Sequence, residues 1–541
     1  MMGKNSRQLK MLFIDIDDLV PENHLLKQID KLVDFEFIYE LAAPYYSTKG
    51  RKSIDPVTLI KMLLIGYLYG IKSERRLVEE VQVNIAYRWF CGLDLSDNVP
   101  EHSLFSQNRR RRFHDNTLFQ DIFNHIILKC IEQGLVTGES VVSDGTFIPA
   151  NVSGNSKLEV TQTVLKSTVH YLDELDKELS EQRGYRAPEP TEKEVTVLKS
   201  KTDPECGYIH QDRKKGLGYL AQMTVDTTNG IVIGVDCYPA NRRESDIVLE
   251  HIKRIKMATG LTIENLALDA GYDVGAVHRG LEVLGITGYV SRREFHNAAM
   301  RKGFAYLPEN DCFTCMKGHH LNFEALVYKK TSQGYYRVYS RLRSKCKGCE
   351  YLQHCAMDRG RIRINASPFY PAFYANMHRC ETMAYKAMKR LRAIWSEGTF
   401  AALKREHNLK RARKRGLNRM SEECLLSALA LNLKRIVKAL EPLPYLFGSI
   451  IIFQYQLCSK WFSQIIILIL STGPIRSRPL YMYNRIKNII RKLTIFRANN
   501  YFRRTIYSFS QIIIRYYCNI SFFKHRNIYN TISGTYNEFR F

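Results

Sequence analysis

Two short blocks place a carboxylate directly after an apolar run: Val141-Val142-Ser143-Asp144-Gly145-Thr146 and Leu266-Ala267-Leu268-Asp269-Ala270-Gly271. In an open α/β sheet, functional groups gather where strands end, so Asp144 and Asp269 on adjacent central strands could share divalent cations. Two ions ~3.5–4 Å apart activate a nucleophile and stabilise the leaving oxygen of a phosphodiester. Mg²⁺ suits such a pair because it accepts carboxylate oxygens, keeps waters and binds substrate phosphate. A third acid, Glu397, stands near the head of a basic stretch, IWSEGTFAALKREHNLKRARKRG (394–416). Lys404 follows about two turns later on the same helical face, so one helix would offer a carboxylate to metal and an ammonium to phosphate. An Asp at a strand end is, taken singly, also a common turn former or helix cap, and the chemistry rests on all three acids together.

The blocks SDGTF, LDAGYD and WSEGTFAALKREHNLKRARKRG resemble the catalytic segments of bacterial insertion-sequence DDE transposases, and ALNLKR (430–435) resembles their terminal helix. The segment from Lys49 to Arg112, KGRKSIDPVTLIKMLLIGYLYG onward, is similar to the helical domain that precedes that core, so the resemblance spans residues 10–440. It implies an α/β fold: a ribonuclease-H-like mixed sheet preceded by an all-α DNA-binding domain, with a small zinc-ribbon-like insertion. It further implies Asp144, Asp269 and Glu397 as the triad holding two Mg²⁺ (or Mn²⁺), with Lys404 as the Lys of the family's Glu-x6-Lys motif. Arg392 would be the upstream basic neighbour of Glu397. It falls one residue early, because the family often has Tyr-x2-Arg-x3-Glu and position 393 here is Ala.

The expected activity is DNA transposition: cleavage at element ends, then attack of the freed 3′-OH on target DNA. The partners implied are the terminal inverted repeats, target DNA and a second copy of the chain in a synaptic complex, with no membrane. The place of action implied is the nucleoid in a bacterial cytoplasm. Two rivals stand beside this reading, a domesticated or inactive DNA-binding derivative and a ribonuclease-H-like nuclease without strand transfer.

Charge supports a phosphate-bearing partner. The chain carries a formal +26 with pI near 9.5, while its 45% hydrophobic and 25% charged content is that of a globular protein. Arg405, Lys410, Arg411 and Arg413 would steer and hold the strand being cut, and the Arg109-Arg110-Arg111-Arg112 run offers a second DNA-contacting face. Two further acids are set aside: Asp273 as the start of the following helix, and Asp246, after Glu244-Ser245, as an N-terminal helix acid.

Five of the thirteen cysteines lie between Cys312 and Cys355. No secretory signal opens the chain, so this clustering points to a metal site rather than a disulfide scaffold. Cys315, Cys346, Cys349 and Cys355 are the expected ligands of one structural Zn²⁺, with Cys312, His319 or His354 as substitutes.

The expected organisation is a leading segment at 1–45 and a helical DNA-binding domain at 46–135. The first part of the core follows at 136–305, with a polar helical insert at about 155–200. The cysteine-rich insertion spans 306–360 and the last part of the core 361–443. From 444 to 541 the composition turns to Ile, Tyr, Asn and Arg without a sustained period, and fourteen of the basic residues stand against the single acid Glu538. This tail reads as translation beyond the ancestral frame.

Overall fold

The computed structural model describes residues 15–440, apart from 48, 51–52, 114–116, 167–172, 184–190, 212–213, 294–302, 330–333, 353–354, 356 and 359. The tail at 444–541 and His354 therefore lie outside the described residues. Helices α1 (Leu25–Leu32) and α2 (Phe37–Ala42) lead the chain. Local capping explains the next three. The Asp55 carboxylate accepts from the Thr58 N–H to start α3 (Pro56–Leu68), whose first residue is Pro. Ser73 and Asn84 do the same for α4 (Glu74–Val83) and α5 (Ile85–Phe90). Helices α6 (His102–Arg111) and α7 (Leu118–Glu132) complete this region.

The chain then turns to strand. β1 (Ser140–Pro149) pairs antiparallel with β5 (Lys214–Asp226) and parallel with β7 (Asn265–Leu268), which pairs parallel with β8 (Thr287–Val290). The short β4 (Gly207–Gln211) takes the first half of β5, and β6 (Val232–Pro239) takes its second half. Helix α9 (Glu244–Thr259) joins β6 to β7, and α10 (Gly275–Val283) joins β7 to β8. The Asn229-Gly230 hairpin is where the sequence places it, with Gly230 at φ 73°.

Two expectations are corrected. β1 does not stop at Asp144 but runs on to Pro149, because β5 continues to pair with it there. The insert at 155–200 is not chiefly helical: β2 (Lys157–Lys166) and β3 (Thr191–Ser200) form an antiparallel ribbon, with α8 (Asp173–Arg183) between them. Val160 faces Val197 and Thr161 faces Thr196, and such β-branched pairs favour an extended ribbon over a helix despite the charged residues around them.

The cysteine-rich region is larger than a ribbon. Strands β9 (Phe304–Leu307), β10 (Cys312–Cys315), β11 (His320–Lys329), β12 (Gly334–Leu342), β13 (Met357–Asp358) and β14 (Arg361–Ala366) form an antiparallel sheet in the order β13-β14-β12-β11-β10-β9. Its own core gathers Tyr306, Phe313 and Tyr339 with Tyr370 and Phe373 of α11 (Tyr370–Arg379).

Helix α12 (Met383–Arg392) passes through a π turn (Ala393–Glu397) into α13 (Gly398–Glu406). The last described helix, α14 (Leu417–Leu440), packs against β6, α3 and α7, which buries most of its length. Asn432 on α14 caps the edge of β6, accepting from Val232 N–H and donating to Val232 O, each at 2.8 Å. The described residues make one compact unit, and one apolar core runs from Leu64 and Ile65 through Val232 to Leu429. Among the described residues, no helix is long and apolar enough to cross a membrane.

Candidate active site

Parallel pairing between β1 and β7 covers Ser140–Val142 against Asn265–Ala267, and the two aspartates stand just beyond it. Past that point the two strands no longer pair. Asp144 Oδ1 accepts from the Gly145 N–H at 2.9 Å, and Asp269 Oδ1 from the Gly271 N–H at 2.6 Å, so each carboxylate is oriented by the backbone that follows it. The Asp144 carboxyl is pushed up to about 7, by burial first and then by the negative charge of Asp269, with Arg392 opposing.

Glu244, the first residue of α9, joins them. Asp144, Glu244 and Asp269 each offer an oxygen such that all three lie within 4.8 Å of one another; they are the one such group among the described residues. The glycines of the two sequence blocks make room for it. A Cβ at Gly145 would stand 2.8 Å from Glu244 Cδ and Oε1, and one at Gly271 would stand 3.5 Å from Glu244 Oε2. The sequence shows Glu244 as one more acid opening a helix, and the link to Asp144 arises only when α9 crosses back over β1. The glycine after each aspartate is the signal that could have found it.

Glu397 stands outside this group. Its side chain is 70% exposed, and its Oε1 lies 3.9 Å from Arg392 Nη2, while Arg392 Nη1 lies 3.0 Å from Asp144 Oδ2. Arg392 thus sits between the aspartate and the glutamate. The one-residue offset of Arg392 has a structural explanation. In a π turn the repeat is i to i+5 rather than i to i+4, so Arg392 and Glu397, five residues apart, come onto one face. The extra residue shifts the spacing in sequence and leaves the facing of the side chains intact.

Contacts from Trp395, Arg435, Lys404 and Arg392 fix the π turn and the helices on either side of it. The Trp395 ring lies over Gly230, where a Cβ would come within 2.1 Å of Trp395 Cζ3. Arg435 on α14 stacks over Trp395 at 5.5 Å, donates to Gly230 O, and donates to Thr399 Oγ1 at 2.9 Å. Lys404 Nζ donates to Thr146 Oγ1 at 2.6 Å, so α12 and α13 are tied to β1 through Arg392 at Asp144 and through Lys404 two residues further along.

The basic residues expected at DNA divide into two sets. Arg405, Lys410 and Arg411 are exposed, as are Arg110 and Arg111. Arg405 pairs with Glu406 at 2.8 Å, and Arg411 donates to the carbonyls of Ala150 and Val152. Arg112 stacks on Tyr46 and donates to Asn108 and Ser53. Arg109 and Arg413 are corrections. Arg109 is buried, pairing with Glu422 at 2.6 Å and Glu74 at 2.5 Å. Arg413 lies on the Tyr67 ring and donates to Lys72 O. Both turn inward because α14 and the loop before it pack on α3, α4 and α6, which carry the matching acid and ring. Asp273 is likewise no helix start: it is buried, accepting from His278 Nε2 and from the Arg293 N–H at 2.9 Å each.

Cys315, Cys346, Cys349 and Cys355 line one cavity of about 30 Å³ together with His319. Burial raises the Cys355 thiol, and the neighbouring Cys315, Cys349 and Cys346 sulfurs raise it further. Cys312 faces elsewhere, with its Sγ 3.5 Å from His320 Nδ1. Four thiols are the donor chemistry of a structural Zn²⁺ site, but their sulfurs do not all lie within 4.8 Å of one another as the acid oxygens do.

Two family models match this chain. Residues 14–111 match a transposase domain (DUF772), and residues 314–437 match a transposase DDE domain. The second segment contains Glu397, Lys404 and the four converging cysteines, while Asp144, Glu244 and Asp269 fall between the two matches. No curated protein matches the sequence. Among solved structures, the piggyBac transposase synaptic complex with hairpin DNA is similar at 10% identity and a TM-score of 0.27, over 79% of this chain and 84% of that one. The Mos1 mariner paired-end complex with Mn is similar at 9% identity and a TM-score of 0.14, over 45% of this chain and 61% of that one. TM-scores this low establish no shared geometry.

Proposed function

We propose that this chain, a DDE transposase by the two transposase domains it carries, cuts DNA at the ends of its element and joins the freed 3′-OH to target DNA. The observation that carries the site assignment is the convergence of Asp144 and Asp269 where β1 and β7 part. The order β6-β5-β1-β7-β8, three strands antiparallel in sequence and two joined in parallel, supports a ribonuclease-H-like core.

Asp144 and Asp269 would hold Mg²⁺ or Mn²⁺ in this reading, with Glu397 as the third member of the triad. Two such ions, when bound, supply an activated water or 3′-OH and charge stabilisation at the leaving oxygen. The chain's own residues then have separable tasks. Arg392, held between Asp144 and Glu397, would release its carboxylates as DNA and metal arrive and turn its guanidinium to a phosphate. Lys404 keeps the Glu397 helix on β1 through Thr146. Lys410, Arg405, Arg411, Arg110 and Arg111 supply exposed positive charge for the phosphate backbone. The synaptic complex would contain two copies of the chain acting on inverted repeats at the bacterial nucleoid.

The test is cleavage and joining of end-containing DNA with Mg²⁺. Asp144→Asn, Asp269→Asn and Glu397→Gln should each lower both steps by about 10³-fold or more, the scale for groups that act as a unit. Full cleavage by the Asp144→Asn and Asp269→Asn proteins would remove this mechanism. Cleaved DNA without products joined to target would favour a nuclease instead.

The cysteine cluster supports one structural Zn²⁺ held by Cys315, Cys346, Cys349 and Cys355. Metal analysis of the purified chain should then return about one zinc per chain, and Cys346→Ser should lose it. A chain purified without zinc, and unchanged in melting temperature by a chelator, would rule this site out.

A further inference from the structure

We infer that Glu244 is a direct metal ligand of this site, so that Asp144, Glu244 and Asp269 bind a divalent cation in the absence of DNA while Glu397 is added afterwards. The inference rests on the transposase reading and adds a carboxylate to the triad. The bland alternative is an acid placed at a helix N-terminus, where the macrodipole is worth about 0.3–1 kcal/mol. Asp246 in the same first turn already meets that role, with Ser245 Oγ donating to it at 3.2 Å.

Glu244 does something a dipole does not require. Its carboxylate lies against the backbone at Gly145 and Gly271, so close that a Cβ at Gly145 would be 2.8 Å from its Cδ. It comes to rest beside two other carboxylates, with all three ligand oxygens inside 4.8 Å. Two guanidinium groups border the three acids: Arg392, with Nη1 3.0 Å from Asp144 Oδ2 on the α12 side, and Arg293, which donates to Ala270 O at 2.5 Å and Gly271 O at 2.6 Å in the turn after β7. Three oxygen donors from three different elements, β1, α9 and the turn after β7, are the kind of set a hard divalent ion takes, with water or phosphate completing its shell.

Order of assembly follows from position. Glu244, Asp144 and Asp269 are already together, whereas Glu397 is exposed and separated from Asp144 by Arg392. The first ion therefore needs Glu244 and does not need Glu397.

The experiment is Mn²⁺ titration of the full chain without DNA, followed by electron paramagnetic resonance. Glu244→Gln should weaken Mn²⁺ binding by about tenfold or more, the scale on which changes around a metal register. Glu397→Gln should leave it within about twofold of the unsubstituted chain, a difference too small for a lost ligand. Gly145→Ala, which drives a methyl into the Glu244 carboxylate, should weaken binding as Glu244→Gln does, and it covers the case in which Glu244→Gln fails to fold. Unchanged Mn²⁺ affinity in Glu244→Gln, or in Gly145→Ala should the first not fold, overturns the inference. So does an unsubstituted chain that takes up no Mn²⁺ without DNA. If Asp144→Asn and Asp269→Asn weaken Mn²⁺ binding and Glu244→Gln does not, the transposase site stands and Glu244 leaves it. If none of the three changes affinity, the site assignment itself fails.

Discussion

Two clusters of charge lie in this molecule, and they are built in opposite ways. Beside β1 and the end of β7, Asp144, Glu244 and Asp269 gather, and Arg392 lies between Asp144 and Glu397. Between α4, α6 and α14, the acids Glu74, Glu422 and Glu423 face Arg109, Lys414 and Arg413. The second cluster sets three acids against three bases. Burial pushes the Glu422 carboxyl up, but Lys414 and Arg109 more than offset it and hold the group below its ordinary range. In the first cluster burial and the Asp269 charge push the Asp144 carboxyl up, as burial also does to Glu423 in the second. A balanced buried network fastens the N-terminal helices to the last helix. The cluster beside β1 gathers carboxylates where something can bind.

The sharpest test of this contrast is stability. Glu422→Ala strips a buried carboxylate from Arg109 and Lys414 and should destabilise the chain by about 3–5 kcal/mol, the cost of orphaning a buried charge, read from denaturant unfolding. Asp144→Asn removes one of several mutually repelling acids and should leave stability in metal-free buffer unchanged or raise it by about 1 kcal/mol, as removal of strain at a functional site often does. If both substitutions destabilise alike, the distinction between the clusters collapses.

A smaller effect is expected where the fold presents Glu397. Gly230→Ala meets both a positive φ and the Trp395 ring and should cost about 1–3 kcal/mol. DNA cleavage should fall further than folding alone explains, because Trp395 sits in the π turn that carries Glu397. The smallest effect belongs to the surface. Lys410→Ala should leave stability and metal binding alone and reduce the salt dependence of DNA binding by about one unit of slope.

Not every part of this was equally legible. The capped helices α3 and α4 and the Asn229-Gly230 hairpin follow from local chemistry, which acts over a few residues and is written in order. The β2–β3 ribbon was hidden by its charged residues, since a solvent-facing ribbon and a solvent-facing helix can share a composition; what separates them is the cross-strand pairing of Val160 with Val197. The four-Arg run shows the same limit. Arg109 and Arg110 are neighbours of one type, and their fates differ because Glu422, more than three hundred residues away, meets only the first.

By itself, the sequence determined the two aspartate blocks, the basic stretch around Glu397 and the excess of positive charge, because each is a matter of residue type and short spacing. Tertiary structure alone decided that Glu244 joins the aspartates, that Arg392 bridges Asp144 and Glu397 through a π turn, and that Arg109 and Arg413 face inward. Those outcomes depend on which elements cross. A carboxylate becomes a ligand, a helix cap or half of an ion pair according to what the fold brings within a few ångströms of it.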